Sequence, residues 1–347
     1  MPTVIRSALA VLLFAAPISV ARAADDKSGV KKPPALAVKE LAEGWVLLYD
    51  GETTFGWKAE GAADATGGLL SVGGDKEGKV ATTTAFGAGL VRWTFRQTGQ
   101  KKAAMSWRGE DRSRLSAAND GSWVTEDYEP GAQGATQITL SAPAGTRLDV
   151  KSIAFRPSQT RSIFTGKDLS GWTVFPGDKY RSKFEVTKDG ELHVTNGPGD
   201  LQTNAKYGDF VLQLECKTNG IALNSGVFFR CIAAQYQNGY EMQIQNAYQN
   251  DDRTKPKDFG TGAIYRRVPA RKVVSNDNEW FTMTLVAQGG HFSTWVNGYQ
   301  TVDWTDDRKS DENPRKGLRT APGHLSIQGH DPTTDLLFRN IRTAEVK

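Results

Sequence analysis

Apolar and polar residues alternate along most of this chain in short runs, and the runs stop at Gly, Asn, Asp or Pro. Stretches with a helical period are hard to find. A period of two predicts strands with one buried and one open face. Gly239 to Asn246 is the clearest case, with Tyr240, Met242 and Ile244 on one face and Glu241, Gln243 and Gln245 on the other. Gly226 to Ile232 sets Phe228, Arg230 and Ile232 against Val227, Phe229 and Cys231, while Phe210 to Cys216 alternates imperfectly. Thr282–Val286 and His291–Val296 follow, joined at Gly289 and Gly290. Asn297 and Gly298 predict a hairpin turn into Tyr299–Trp304, and His324–Gln328 and Asp335–Ile341 close the chain. The expected class is all-β, built as sandwiches of antiparallel strands. The 36 glycines and 9 tryptophans suit many turns around aromatic cores.

The pattern repeats. Leu48 to Trp57 matches Ile163 to Trp172: each is a short apolar run, a Gly turn and a closing Gly-Trp. Gly68–Val72 matches Gly190–Val194, Thr82–Phe95 parallels Gln202–Glu215, and Met105–Arg108 lies on Val227–Arg230. The constant order and spacing predict two tandem, related β-sandwich domains. The first runs from Gly44 to about Pro157 and is the shorter, divergent copy. The second runs from about Thr160 to Lys347. Ala24–Glu43, with Lys31, Lys32, Pro33 and Pro34, is expected to be a linker.

Arg6, the apolar run Ala8–Ala16 and the small-x-small pattern Ala21-Arg22-Ala23 predict an export signal over residues 1–23, and hence a periplasmic or secreted protein. The run is too short for a membrane-spanning helix, and no later run is long enough either. No Cys follows it to take a lipid anchor. The net charge of +4 includes Arg6 and Arg22, which leave with the signal. The scattered remainder lacks the basic stripe that nucleic acid requires. Two cysteines, Cys216 and Cys231, exclude a zinc or redox motif of the CxxC type. They could pair in an oxidising compartment, or stand as two small buried apolar residues, the reading favoured here.

The second half resembles the 3-keto-disaccharide hydrolase domain family, a jelly roll related to the concanavalin A-like lectins and glucanases. The resemblance rests on Phe164–Trp172, Tyr207–Phe210, Asn224–Arg230, Gly239–Gln245, Thr261–Tyr265, Asn278–Trp280, Val296–Gly298 and Phe338–Ile341, in register across almost the whole domain. It implies a jelly-roll fold and a saccharide substrate. Family members often carry Asp where Asn246 stands, and a Leu-Gln-x-His motif where Ile327 to His330 keeps Gln328 and His330.

A conventional glycosidase needs two carboxylates flanking the scissile bond. Related glucanases place both on one strand, and the corresponding strand here offers Glu241 alone. A 3-keto sugar asks for less: its ketone acidifies the C2 proton, whose removal lets the group at C1 depart, and water then adds back. One base, one acid and an oxyanion stabiliser suffice. Glu241 or His330 is the expected base or acid, with Arg230 stabilising the enolate. Gln243, Gln245, Gln328 and Asn246 are expected to hold hydroxyls, and Tyr265 to pack on the ring or relay a proton. No cofactor is required; a divalent ion could enter through Glu241 and His330, two ligands at most. Each residue has a plainer reading: a polar outer face for the Glu241 strand, a cross-strand Arg230–Glu241 ion pair, a loop histidine for His330, and an edge of the core for Tyr265. Asp251–Asp252 and Asp306–Asp307 lack calcium-loop spacing and read as solvated turns. Ser225 has no nucleophile elbow. The alternative function is a non-catalytic carbohydrate-binding module using the same groove, and a purely structural envelope protein is the third. The first domain keeps Trp107 and Arg108 but has no counterpart of the Glu241 strand, which suits an accessory copy that packs on the second domain or binds glycan.

Overall fold

The computed structural model describes residues 35–112, 120–131 and 134–346, and these form one compact unit. The expected signal and residues 24–34 of the expected linker lie outside the described residues. The rest of that linker carries a short helix, Val38–Glu43, closed by Gly44 at φ 92°, the left-handed conformation glycine adopts without penalty. No helix among the described residues is long and apolar enough to cross a membrane.

Alternation decides the architecture. In Gly89–Gly99, Val91, Trp93 and Phe95 are buried while Leu90, Arg92 and Thr94 are half-exposed, so one face seeks a partner sheet. Among the described residues, four large antiparallel sheets stack as two sandwiches. In the first, Thr146–Pro157 pairs with Gly89–Gly99 and Leu69–Gly74 at the centre of one sheet. Its partner sheet runs in the order Trp57–Gly61, Gly78–Phe86, Thr136–Ala142, Ala104–Trp107, Glu110–Arg112. In the second, Phe210–Thr218, Phe281–Gln288 and Asp335–Glu345 build the centre of a larger sheet. Its five-stranded partner runs in the order Trp172–Val174, Gly199–Thr203, His324–Gly329, Ser225–Cys231, Tyr240–Ile244.

The two five-stranded sheets share one topology and fine detail. Trp57 Nε1 donates to the Leu48 carbonyl as Trp172 Nε1 donates to that of Ile163, at 2.5 and 2.7 Å. Thr82 Oγ1 donates to the Thr84 carbonyl and accepts from Ile138 N; Thr203 Oγ1 does the same with Ala205 and Leu325. Arg108 and Arg230 both sit at φ 53°. The sandwiches also share a packed seam: Val211, Val286, Trp295 and Val346 of the second join the core of the first. There Trp295 Nε1 donates to Leu47 O at 2.9 Å, and Arg271 pairs with Asp50 at 2.9 Å.

Cys216 and Cys231 are free, buried thiols, and burial pushes both pKa values up. The reading as small apolar residues describes them, and the disulfide reading does not.

Candidate active site

The five-stranded sheet of the second sandwich sends Leu201, Ile327, Val227, Met242 and Ile244 into the core. Direct partners in an antiparallel pair share a face, so the register gives the residues of the opposite face. One row runs Thr173, Gln202, Ser326, Phe228, Glu241. The next runs from Asp200 through Gln328 to Gly226 and Gln243. An outer sandwich face is ordinarily wet. Here Asp200, Gln202, Ser326, Phe228, Glu241, Gln328 and Gln243 are each no more than 9% exposed. Five of them keep a buried polar atom without a partner: Asp200 Oδ1, Gln202 Nε2, Ser326 Oγ, Gln328 Oε1 and Gln243 Oε1. Folded proteins leave few such atoms, and their concentration on one face, a polar floor, calls for water or a ligand to meet them. Gln243 shows how the floor is aimed: its Nε2 donates to Asp258 Oδ2 at 3.0 Å, which leaves Oε1 as the free acceptor.

Two carboxyl groups stand on this face. Burial pushes Glu241 up to about 8, against the pull of Arg315 and with a further push from Asp200. Burial likewise raises Asp200 to about 7, against its hydrogen bond from Gln237 N. Arg315 approaches Glu241 Oε2 at 4.0 Å, lies 5.5 Å from the Phe228 ring centre and donates from Nε to the Gln237 carbonyl at 2.6 Å. The Gln237 peptide units thus bridge Asp200 and Arg315. Beside them Tyr236 packs on Tyr180 and Phe175, with centroids 4.6 and 5.8 Å away. Burial, then the Asp200 charge, raises the Tyr236 pKa far above the usual phenol value. A half-buried aromatic cluster next to a polar floor is a surface on which a sugar ring can stack.

The other expected residues divide. Tyr265 lines a cavity with Glu241 and donates its N–H to the Glu241 carbonyl at 2.9 Å. Arg230 does not join them. It is completely buried, and its guanidinium donates to Asp209 Oδ1 and to the carbonyls of Thr320 and Gly289 at 2.9, 2.5 and 3.1 Å. The sheet register shifts between Phe228 and Cys231, and Arg230 sits in that bulge at φ 53°, so parity no longer sets its direction. It pins loops together, and Arg315 approaches Glu241 in its place.

Gln245 and Asn246 are spent inside the fold. Gln245 Nε2 donates to Ala222 O and its Oε1 accepts from Ala247 N. Asn246 Oδ1 accepts from Thr261 and Ser275 hydroxyls, and its Nδ2 donates to Asp277 Oδ1. Neither amide is free to hold a hydroxyl. His330 lies four residues past Ser326, which shares the Glu241 row, and its Nδ1 pairs with Asp331 Oδ2 at 2.8 Å. His330 lies past the end of its strand and does not line the cavity beside Glu241. Among the described residues no group of three or more His, Cys, Asp and Glu is placed to hold a metal ion.

Asp200, Gln202, Ser326, Gly226, Arg315 and Tyr236 were not anticipated. Asp200 also overturns the expectation of one carboxylate, because the second sits on a different strand of the same sheet. The alternation of Asp200 and Gln202 about Leu201 is visible in the sequence; the strand they pair with is not. Among the described residues the first sandwich shows no such floor. Its register puts Lys79, Ala81, Thr139 and Ser106 where Asp200, Gln202, Ser326 and Phe228 stand.

The chain is similar to several solved structures. A candidate glycosyl hydrolase from Parabacteroides distasonis is 21% identical, with a TM-score of 0.44, over 54% of this chain and 94% of that one. Another from the same organism is 23% identical, with a TM-score of 0.42, over 54% and 100%. A carbohydrate-binding module from Bacillus subtilis is 14% identical, with a TM-score of 0.36, over 50% and 96%. No curated protein matches the chain. Residues 159–344, more than half of the chain, match the 3-keto-alpha-glucoside-1,2-lyase-like domain, and the chain belongs to that carbohydrate-active family.

Proposed function

We propose that the second sandwich cleaves the glycosidic bond of a 3-keto-glycoside by elimination and hydration, outside the cytoplasm as the leader-like N-terminus suggests. The observation that carries this is the buried floor of unpartnered polar atoms bearing two carboxyls of raised pKa beside Arg315. One carboxyl serves as base and the other as acid. Asp200 takes the C2 proton. The electron pair of the C2–H bond moves to the C3 oxygen as an enolate, which Arg315 stabilises. The enolate then collapses: C3=O re-forms, a C1=C2 bond forms and the bond from C1 to the leaving oxygen breaks. Glu241, protonated near neutrality, gives its proton to that oxygen. Water adds at C1, giving its hydroxyl to C1 and its proton to Glu241, and Asp200, its proton exchanged with solvent, protonates C2. Gln202, Gln243, Ser326 and Gln328 hold the hydroxyls, and Tyr236 and Tyr265 flank the ring.

Single-turnover cleavage in deuterium oxide tests the route. Elimination and hydration put deuterium at C2 of the released keto sugar. Retention of protium at C2 throughout sinks the elimination and favours direct hydrolysis.

A further inference from the structure

At the Glu241 end of the floor lies a cavity of about 220 Å³. Arg266, Arg267 and Arg315 line it together with Glu241 and Tyr265. Among the described residues neither Arg266 nor Arg267 has a carboxylate at ion-pair distance. Arg267 donates to the carbonyls of Arg315 and Arg266 at 2.7 and 3.4 Å. The Arg266 guanidinium lies 5.3 Å from the Tyr265 ring centre, on a residue held at φ 58° in the left-handed region. Backbone strain at a side chain with a Cβ persists where the surrounding structure imposes it, and it gathers at ligand sites. Three guanidinium groups around one hollow repel one another. The one carboxyl among them, Glu241, is kept largely protonated by burial near neutrality. The cavity is left with an excess of positive charge and a set of forked donors, which fit a carboxylate or a sulfate.

We propose that this cavity binds an anionic substituent, carboxylate or sulfate, on the leaving group of the glycoside. The placement on the leaving-group side rests on the elimination reading, in which Glu241 protonates the departing oxygen at the mouth of the same cavity. The anion requirement rests on the arginines alone. The chemistry implied upstream is the oxidation of an acidic glycoside at C3.

The test compares 3-keto-glucosides of 4-hydroxybenzoate, of its methyl ester and of 4-hydroxyphenyl sulfate on the full chain. The expected result is a kcat/KM at least tenfold higher for one or both anionic compounds than for the ester. The gap should shrink in high salt, and collapse toward unity in Arg266→Ala, an exposed position, and in Arg267→Ala. A gain for the carboxylate alone identifies an acid, and a gain for the sulfate alone a sulfated aglycone. Equal values for all three compounds, or a gap that survives Arg266→Ala, overturn the proposal. If no keto compound is cleaved, the elimination reading fails, and calorimetry with the unoxidised 4-carboxyphenyl glucoside and its methyl ester still decides the cavity. Tighter binding of the acid, lost in Arg266→Ala, sustains it; equal or undetectable binding of both overturns it.

Discussion

The carboxyl group of Glu241 occupies the space that a side chain on Gly226 would need. The two residues stand diagonally across one antiparallel pair, Gly226 opposite Gln243 and Glu241 opposite Phe228, and a Cβ on Gly226 would meet Glu241 Oε1 at 2.5 Å and its Cγ at 2.8 Å. The glycine is there for close approach. Gly226→Ala should displace the carboxyl by about an ångström and lower kcat about 10²-fold, the usual cost of such a misplacement. A kinetic comparison with Glu241→Gln checks this: similar losses in both variants support the placement, and full activity in Gly226→Ala removes it.

Glu241 should also tie stability to pH. Its carboxyl ionises near 4.5 when unfolded and near 8 when folded. Between those values the folded chain holds a proton that the unfolded chain has lost, so stability falls as pH rises through the window. Asp200 acts in the same direction between 3.8 and about 7. Glu241→Gln removes its share of this cost, on the order of 5 kcal/mol at most. The Tm of the variant should gain on that of the parent from pH 4 to pH 8, while turnover is lost. Parallel Tm curves across that range would place the Glu241 pKa near its ordinary value.

The two arginines separate chemistry from architecture. Arg315→Met should cut kcat on the order of 10²- to 10³-fold, the loss typical of an oxyanion stabiliser. It should also raise the pH at which Glu241 ionises, because Arg315 pulls that value down. Arg230→Met should instead lower stability by about 1–3 kcal/mol through the loop carbonyls of Thr320 and Gly289 that lose their donor, with KM and the pH–rate profile of the folded fraction unchanged. Calorimetric melting with a pH–rate series on both variants checks this assignment; a shifted pH profile in the Arg230 variant would return it to the site.

The floor amides should act on binding. Gln328→Ala and Gln243→Ala each remove an acceptor that has no partner among the described residues. KM should rise about tenfold in each, the worth of one hydrogen bond to a ligand, and Tm should fall little. Steady-state kinetics with melting curves reads both. A large drop in Tm with KM untouched would make these amides part of the fold instead of the site.

Parity along a strand was legible in the sequence, because side chains alternate with a period of two. It put Glu241 and Gln243 on one face and Tyr240, Met242 and Ile244 on the other, as the structure has them. The repeat of Leu48–Trp57 in Ile163–Trp172 was legible because both indoles perform the same hydrogen bond. Parity failed where the backbone left the regular strand: the bulge at Arg230 turns a residue predicted to share the Glu241 face away from it. Asp200 was out of reach for another reason. Its strand reaches the Glu241 strand through His324–Gly329 and Ser225–Cys231, and the register of such distant segments is written in none of them alone. Arg315 comes from a loop, and loops carry no period.

The elimination account stands most directly on one comparison. The purified protein is given a 3-keto-glucoside and, separately, its unoxidised parent, and release of the aglycone is followed. Release from the keto compound alone, abolished by Glu241→Gln, is the predicted result. Release from the parent at a comparable rate, or saturable binding of the keto compound with no release, would contradict the account, and the second outcome would make this floor the groove of a carbohydrate-binding module.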